Sequence, residues 1–159
     1  MNKNGLSVVG LILVIGMGSL LFVGSIFIFA PDDGVQKSRD TRRIQELQSI
    51  VHAIRLGEVD GNIGNSDISP LLWQIGTATS SCDISCAVKG ENGLVAERIT
   101  QKACLDLKSM LKKTLPQVPT DPVLGTIERT GYAVQRDALG NIQAVACQPE
   151  EVESITIRR

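Results

Sequence analysis

Four cysteines, Cys82, Cys86, Cys104 and Cys147, carry the most definite chemistry in this 159-residue chain. Thiolates either hold zinc in short paired knuckles or join as disulfides in an oxidising compartment. Here the spacing is C-x3-C, then seventeen residues, then forty-two, and the one histidine, His52, lies far off in a helical stretch. That arrangement fits a zinc knuckle poorly, and the even count points to two disulfides. Four cysteines allow three connectivities, and all three are open from the sequence; Cys104 with Cys147 is the one that would staple a helix to a sheet.

Other reactive groups are sparse. General acid or base work falls most often to histidine, and nucleophilic or phosphate chemistry has recognisable settings. This sequence has no G-x-S-x-G elbow, no H-E-x-x-H, no glycine-rich phosphate loop followed by lysine and a hydroxyl residue, and no C-x-x-C pair. Asp32/Asp33 and Glu150/Glu151 are adjacent in sequence and read as solvated loop carboxylates rather than an acid–base pair. His52 reads as helix surface. The expectation is a non-enzyme with no metal and no cofactor. Residues 31–159 carry fifteen basic and seventeen acidic residues, and only Trp73 and Tyr132 are aromatic there. With neither a basic field nor a stacking platform, nucleic acid is not an expected partner.

The elements that would position these residues begin with an apolar run. Leu6–Ala30 holds no charged residue; as a helix it would extend about 37 Å, more than the ~30 Å of a bilayer's hydrocarbon core. Ala30-Pro31-Asp32-Asp33-Gly34 punctuates its end. Ile44, Leu47, Val51 and Ile54 then recur at steps of three and four, which predicts an amphipathic helix over about 35–56 with Gly57 as its stop. The charge run KSRDTRR at its start reads as a solvated face with Asp40 paired to nearby arginines, or as a contact for lipid headgroups or a neighbouring subunit. Residues 57–81 read as a long loop with a short apolar piece at Leu71–Ile75, which Trp73 packs onto the domain. A second helix is predicted over 103–115, ending before Pro116. The proline-rich PQVPTDPVLG cannot be a central strand. Tyr132–Arg136 and Ile142–Cys147, separated by Asp137–Asn141, predict a hairpin, and Val152–Ile157 predicts a third strand.

The leader sharpens the functional reading. A secretory signal peptide has a shorter apolar region and a small-x-small cleavage site, which the end of this run lacks. Lys37, Arg39, Arg42 and Arg43 follow the run while only Lys3 and the amino terminus precede it, so the charge bias alone places the C-terminal side in the cytoplasm. The cysteines and the leader favour the opposite orientation, since long domains translocate largely regardless of nearby charge. Gly5, preceded by Lys3 and Asn4 and followed directly by the apolar run, resembles the processing site of type IV pilins and of the related pseudopilins of type II secretion. QKSRDTRRIQELQSIVHAI resembles the helical continuation of those subunits, and LPQVPTDP followed by GYAV resembles their connector and first strand; residues 57–103 show no clear likeness. The resemblance implies cleavage by a prepilin peptidase between Gly5 and Leu6, with Leu6 as a methylated new terminus and the apolar run retained for assembly. In that family a glutamate usually stands five positions after the cut; here the position is Gly10, as in minor subunits. Because a carboxylate in lipid is costly unless paired, its absence alters assembly energetics.

Small residues suit close helix packing in lipid, and Gly10, Gly16, Gly18 and Gly24 are the assembly-helix candidates, although no strict G-x-x-x-G occurs. The family's pseudopilins also bind calcium in a C-terminal loop; Asp137 and Asn141 offer oxygens here, against the simpler reading of a hairpin turn. The expected architecture is α+β and pilin-like: leader 1–5, membrane-spanning helix half 6–30, and an extracytoplasmic domain over 31–159, with the long N-terminal helix packed on a small antiparallel sheet and loops fixed by disulfides. The expected function is a structural subunit of a pilus or pseudopilus, whose partners are like or related pilin subunits, the peptidase and membrane lipid. The alternative is a membrane-anchored extracytoplasmic binding domain that never polymerises, with an anchored hydrolase a distant third.

Overall fold

A computed structural model describes residues 8, 10, 12, 13, 15–17, 33–90 and 93–159. The chain divides into two compact units, Met1–Gly34 and Val35–Arg159. In the first unit the described residues among 8–17 are helical, and Val8, Ile12, Leu13, Ile15 and Met17 expose their side chains. Most of the expected membrane half, 6–30, lies outside the described residues. Among the described residues no helix is long and apolar enough to cross a membrane.

The second unit is α+β. Helix α1 (Asp33–Val59) covers the predicted 35–56 and runs slightly past it at both ends. A four-stranded sheet follows, made of β1 (Trp73–Gln74), β4 (Tyr132–Arg136), β5 (Ile142–Ala146) and β6 (Ile155–Arg158), in that spatial order and antiparallel throughout. The predicted hairpin and third strand are therefore present, closed by the Asp137–Asn141 turn. In that turn Gly140 takes φ +82°, a conformation open to glycine at no steric cost.

Alternation along the strands assigns the two faces of the sheet. Tyr132, Val134, Ile142, Ala144, Ala146 and Ile155 meet Leu47, Ile50, Val51 and Ile54 of α1 in the main core, joined by Leu107 and Leu111. A buried side chain of this size contributes about 1.5–3 kcal/mol relative to exposure, so this face fixes the helix on the sheet. Ala133 and Val145 point the other way, into a second cluster with Leu72, Cys86, Val88, Ile99 and Cys147. That outer face is covered by a hairpin of β2 (Ile84–Gly90) and β3 (Gly93–Ile99), paired in register from Ile84↔Ile99 to Gly90↔Gly93. The order of layers is helix, sheet, hairpin.

Three expectations need correction. The stretch 57–81 is not all loop: α1 extends to Val59, and Trp73–Gln74 pairs as an edge strand with Ala133 and Val134. Helix α2 spans only Leu107–Leu111, not 103–115. Asp106 caps it by accepting from the Lys108 amide, while the Thr114 and Leu115 amides both return to the Leu111 carbonyl and close the chain into a turn before Pro116. Ile44 does not belong to the buried stripe; it is 38% exposed, and the inward-facing positions one and two turns before Leu47 are Arg43 and Asp40.

Candidate functional site

Two disulfides and a buried ionic cluster around Arg43 help hold the layers together. Cys82 joins Cys104 across 22 residues, and Cys86 joins Cys147 across 61. The expectation of two disulfides is met, while the helix-to-sheet pairing of Cys104 with Cys147 is not; Cys147 instead takes Cys86. The geometry gives the reason. Cys147 follows β5 on the same face as Val145, where β2 presents Cys86 and Val88. Cys104 lies beside Leu105, which bridges Ile75, and its amide donates to the Ala78 carbonyl at 2.8 Å, away from the end of β5. Cys82–Cys104 thus closes the base of the β2–β3 hairpin, and Cys86–Cys147 ties the hairpin to the sheet. Around that base the Cys82 amide donates to the Gln101 carbonyl, the Gln101 amide to Asp83 at 2.9 Å, and the Gln101 side chain to the Leu72 carbonyl at 3.0 Å.

The ionic cluster centres on Arg43, which is 1% exposed although fully charged. Its guanidinium meets Asp121 through two bonds, Nε–Oδ2 at 2.6 Å and a second nitrogen to Oδ1 at 3.1 Å, the planar fork matching a carboxylate. Its remaining terminal nitrogen donates to Asp40 at 2.6 Å and to Glu150 at 2.9 Å. Arg39 donates to the other oxygen of Glu150 at 2.6 Å. Asp40 accepts three consecutive backbone amides, Glu150, Glu151 and Val152, and Asp121 accepts those of Val123 and Leu124. Burial pushes both carboxyls up, but the amides and Arg43 outweigh it and hold each below the usual carboxylate range. Burial likewise opposes the charge on Arg43, and the three carboxylates more than restore it.

Backbone conformation builds the receiving side of the cluster. Gly131 has φ +78°, and a Cβ there would stand 2.8 Å from the Asp121 Cβ; at Gly125 it would stand 2.3 Å from the Asp121 amide nitrogen. Only glycine lets the 121–131 loop fold this tightly around its own aspartate. The expectation that KSRDTRR is a solvated face is corrected on this point: Lys37, Ser38 and Arg42 are exposed, but Asp40 and Arg43 are buried. The sequence carried a signal. Positions 40, 43, 47, 50, 51 and 54 continue one stripe at helical spacing, so an acid and a base at its first two positions face inward and must pair.

At the other end of α1, Glu58 receives Arg55 at 2.8 Å and is also paired with Arg136 of β4. Burial raises its carboxyl and the two arginines lower it further, leaving it below the usual range. Between the two ends, the Tyr132 hydroxyl donates to Glu46, and burial together with that carboxylate pushes the phenol far up.

The other sequence candidates separate clearly. Gly5, Leu6, Gly18 and Gly24 lie outside the described residues. Gly10 and Gly16 are helical, and a Cβ at Gly16 would meet nothing within 4 Å. His52 is exposed, and Trp73 packs against the main core as expected. Asp137 accepts from the Asn141 side chain, from the Leu139 and Asn141 amides and from Arg158. Led by the Asn141 contact, these partners hold its carboxyl at about 2. Its oxygens are those of a hairpin turn, and the arginine beside them is unsuited to a cation site. A cleft of about 270 Å³ lies between Ile75–Thr77, α2 and Pro116–Val118. Its wall is mainly aliphatic, from Ile75, Leu107, Val118 and Ile127, with Asp106 and Lys108 at the cap of α2.

These contacts fix a helix, a sheet and a hairpin to one another. Comparisons with protein-family models, with curated proteins and with solved structures returned no match for this chain.

Proposed function

We propose that the chain is a structural, pilin-like subunit, processed between Gly5 and Leu6 and built into a pilus or pseudopilus through its retained N-terminal helix. The observation that carries the reading is the order of parts: Gly5, an uncharged run over Leu6–Ala30, then a long helix laid on an antiparallel sheet with disulfide-fixed loops. Gly10 in place of the family's usual glutamate favours a minor role over a shaft-forming one. The buried cluster and the disulfides support a mechanical role, since they stiffen a domain that presents surfaces rather than turning over a substrate. The subunit is then an extracytoplasmic domain on a single-pass helix, with related subunits, the peptidase and lipid as partners.

Mass spectrometry of the mature amino terminus tests the reading. The expected product begins at a methylated Leu6 and disappears in Gly5→Ala. A mature chain that retains Met1 in a cell containing an active prepilin peptidase refutes it. Gly10 also favours a second reading, an anchored binding domain that is never assembled. Sheared surface fractions separate the two: assembled subunits are released with the filaments, whereas an anchored domain stays with the membrane.

A further inference from the structure

Helix α1 is held to the domain in two different ways along its length. From Leu47 onward it presents a buried apolar face. Over residues 34–46 every side chain is exposed or half-buried except Asp40 and Arg43, and Val35 and Ile44 remain 52% and 38% exposed. The first three turns therefore contribute almost no apolar burial. Their attachment consists of Arg39 and Arg43 on Glu150, Arg43 on Asp121, Asp40 on the amides of Glu150, Glu151 and Val152, and, at the last residue, the Tyr132 hydroxyl on Glu46.

Segments open locally in proportion to how little apolar surface they bury, and a short piece of helix has little stability of its own in water. Charge-assisted hydrogen bonds depend steeply on geometry, and the bonds here share members. Arg43 serves three carboxylates, and Glu150 serves two arginines. Losing one partner leaves the others buried and short of a counter-charge, so the contacts are made or lost together. We propose that residues 35–43 form a strap that opens as a unit apart from the rest of the domain, with the Arg43–Asp121–Asp40–Glu150 cluster as its catch. In sequence the strap lies between the apolar run and the core-anchored part of α1.

Hydrogen exchange read by mass spectrometry on the full chain in detergent micelles tests this, comparing peptides covering 37–44 with peptides covering 48–56. Asp121→Asn keeps an oxygen for the Val123 and Leu124 amides but removes the charge facing Arg43. Glu150→Gln perturbs only a partly exposed member, and so guards against a variant that fails to fold. The expected result for both is at least a roughly tenfold faster exchange in 37–44, the scale for losing a hydrogen bond to a charged group. Exchange in 48–56 should stay unchanged. Exchange rising equally in both segments would make α1 one cooperative piece and overturn the proposal. Unchanged exchange in 37–44 in both variants overturns it as well, because the cluster would then not be what holds the strap.

Discussion

Removing the Cys86–Cys147 disulfide should cost more stability than removing Cys82–Cys104, even though the second closes the base of the very hairpin that the first tethers. In the chain-entropy account a disulfide stabilises by restricting the unfolded chain, with a loss of about 2.1 + 1.5R ln n cal/mol/K for a loop of n residues. With separations of 22 and 61 residues, this gives about 3.4 and about 4.3 kcal/mol at 25 °C. The native state adds to the difference in the same direction. Without Cys86–Cys147 the hairpin is held over Ala133 and Val145 by the small apolar contacts of Leu72, Val88 and Ile99, whereas without Cys82–Cys104 the hydrogen bonds of Gln101 with Cys82, Asp83 and Leu72 still close the base. The perturbations are the paired variants Cys86→Ala with Cys147→Ala, and Cys82→Ala with Cys104→Ala. Alanine suits sites that are 0–9% exposed. The assay is urea unfolding of the full chain in micelles, read by near-ultraviolet signal from Trp73. Cleavage before Asp83 and after lysine and arginine separates all four cysteines, so non-reducing peptide mapping checks the pairing in parallel. A Cys86/Cys147 variant that loses less than about 1 kcal/mol, or less than the Cys82/Cys104 variant, refutes the reasoning.

Other outcomes follow from the buried polar groups. Gly131→Ala places a Cβ against Asp121 in a left-handed conformation and should destabilise by about 2 kcal/mol or more, seen as a lower thermal midpoint; an unchanged midpoint contradicts the geometry. Asp40, Asp121 and Glu58 all have folded-state pKa values below their unfolded ones. Their contribution is therefore complete above about pH 5 and lost as pH falls below about 4, through the folded values, and denaturant titrations should show stability dropping there. Stability that rises between pH 5 and 3 would reverse the sign of this linkage. Tyr132 is shifted the other way, so its contribution is complete below about pH 10 and declines as pH rises further. Tyr132→Phe should cost about 1–2 kcal/mol at neutral pH and flatten the alkaline loss, measured by the same titration.

How much could be read from the sequence depended on whether the signal was local. The strands at Tyr132–Arg136, Ile142–Ala146 and Ile155–Arg158 are short apolar-rich runs whose alternate residues meet the helix, with Ala133 and Val145 buried on the other face, and a five-residue turn with a glycine separates the first two. The β2–β3 hairpin shows far less in sequence. Its inward residues on β2, Ile84, Cys86 and Val88, include a cysteine where alternation would show a larger apolar side chain, and the hairpin is tied to the sheet by a bond to Cys147, 61 residues from Cys86. The disulfide pairing depends on which face of β5 carries Cys147, a fact that exists only once the sheet has formed. α2 is shorter than its sequence predicts for the opposite reason: LDLKSMLKKTL keeps a helical tendency, but the Thr114 and Leu115 amides turn back onto the Leu111 carbonyl before Pro116.

Hydrophobicity alone places Ile44 first in the stripe and Arg43 on the solvent side, one residue away and about 100° around the helix. The structure rotates the assignment so that Leu47, Ile50, Val51 and Ile54 are preceded by Arg43 and Asp40. A charged residue at a stripe position is costly to bury unless its partners come from elsewhere in the fold. Here they come from residues 78 and 107 positions further on, Asp121 and Glu150. The same substitution of ionic for apolar contact fixes a boundary within α1. Before Leu47 the helix is attached by groups that can in principle be released together, and after it by a core that unfolds only with the domain. A variant that moves the boundary gives the sharpest check. Replacing Arg43, Asp40 and Asp121 together by Leu, Asn and Asn removes the buried charges while keeping a side-chain oxygen for the five backbone amides that Asp40 and Asp121 accept; exchange of buried ion pairs for well-packed neutral residues has elsewhere proved neutral or stabilising by about 1–4 kcal/mol. If the two modes of attachment differ as argued, the triple variant keeps or raises the unfolding midpoint and slows exchange over 37–44 toward that of 48–56. If it unfolds instead, the charges are doing more than holding the strap: they are required for the 121–131 loop and the 148–152 segment to reach the helix at all.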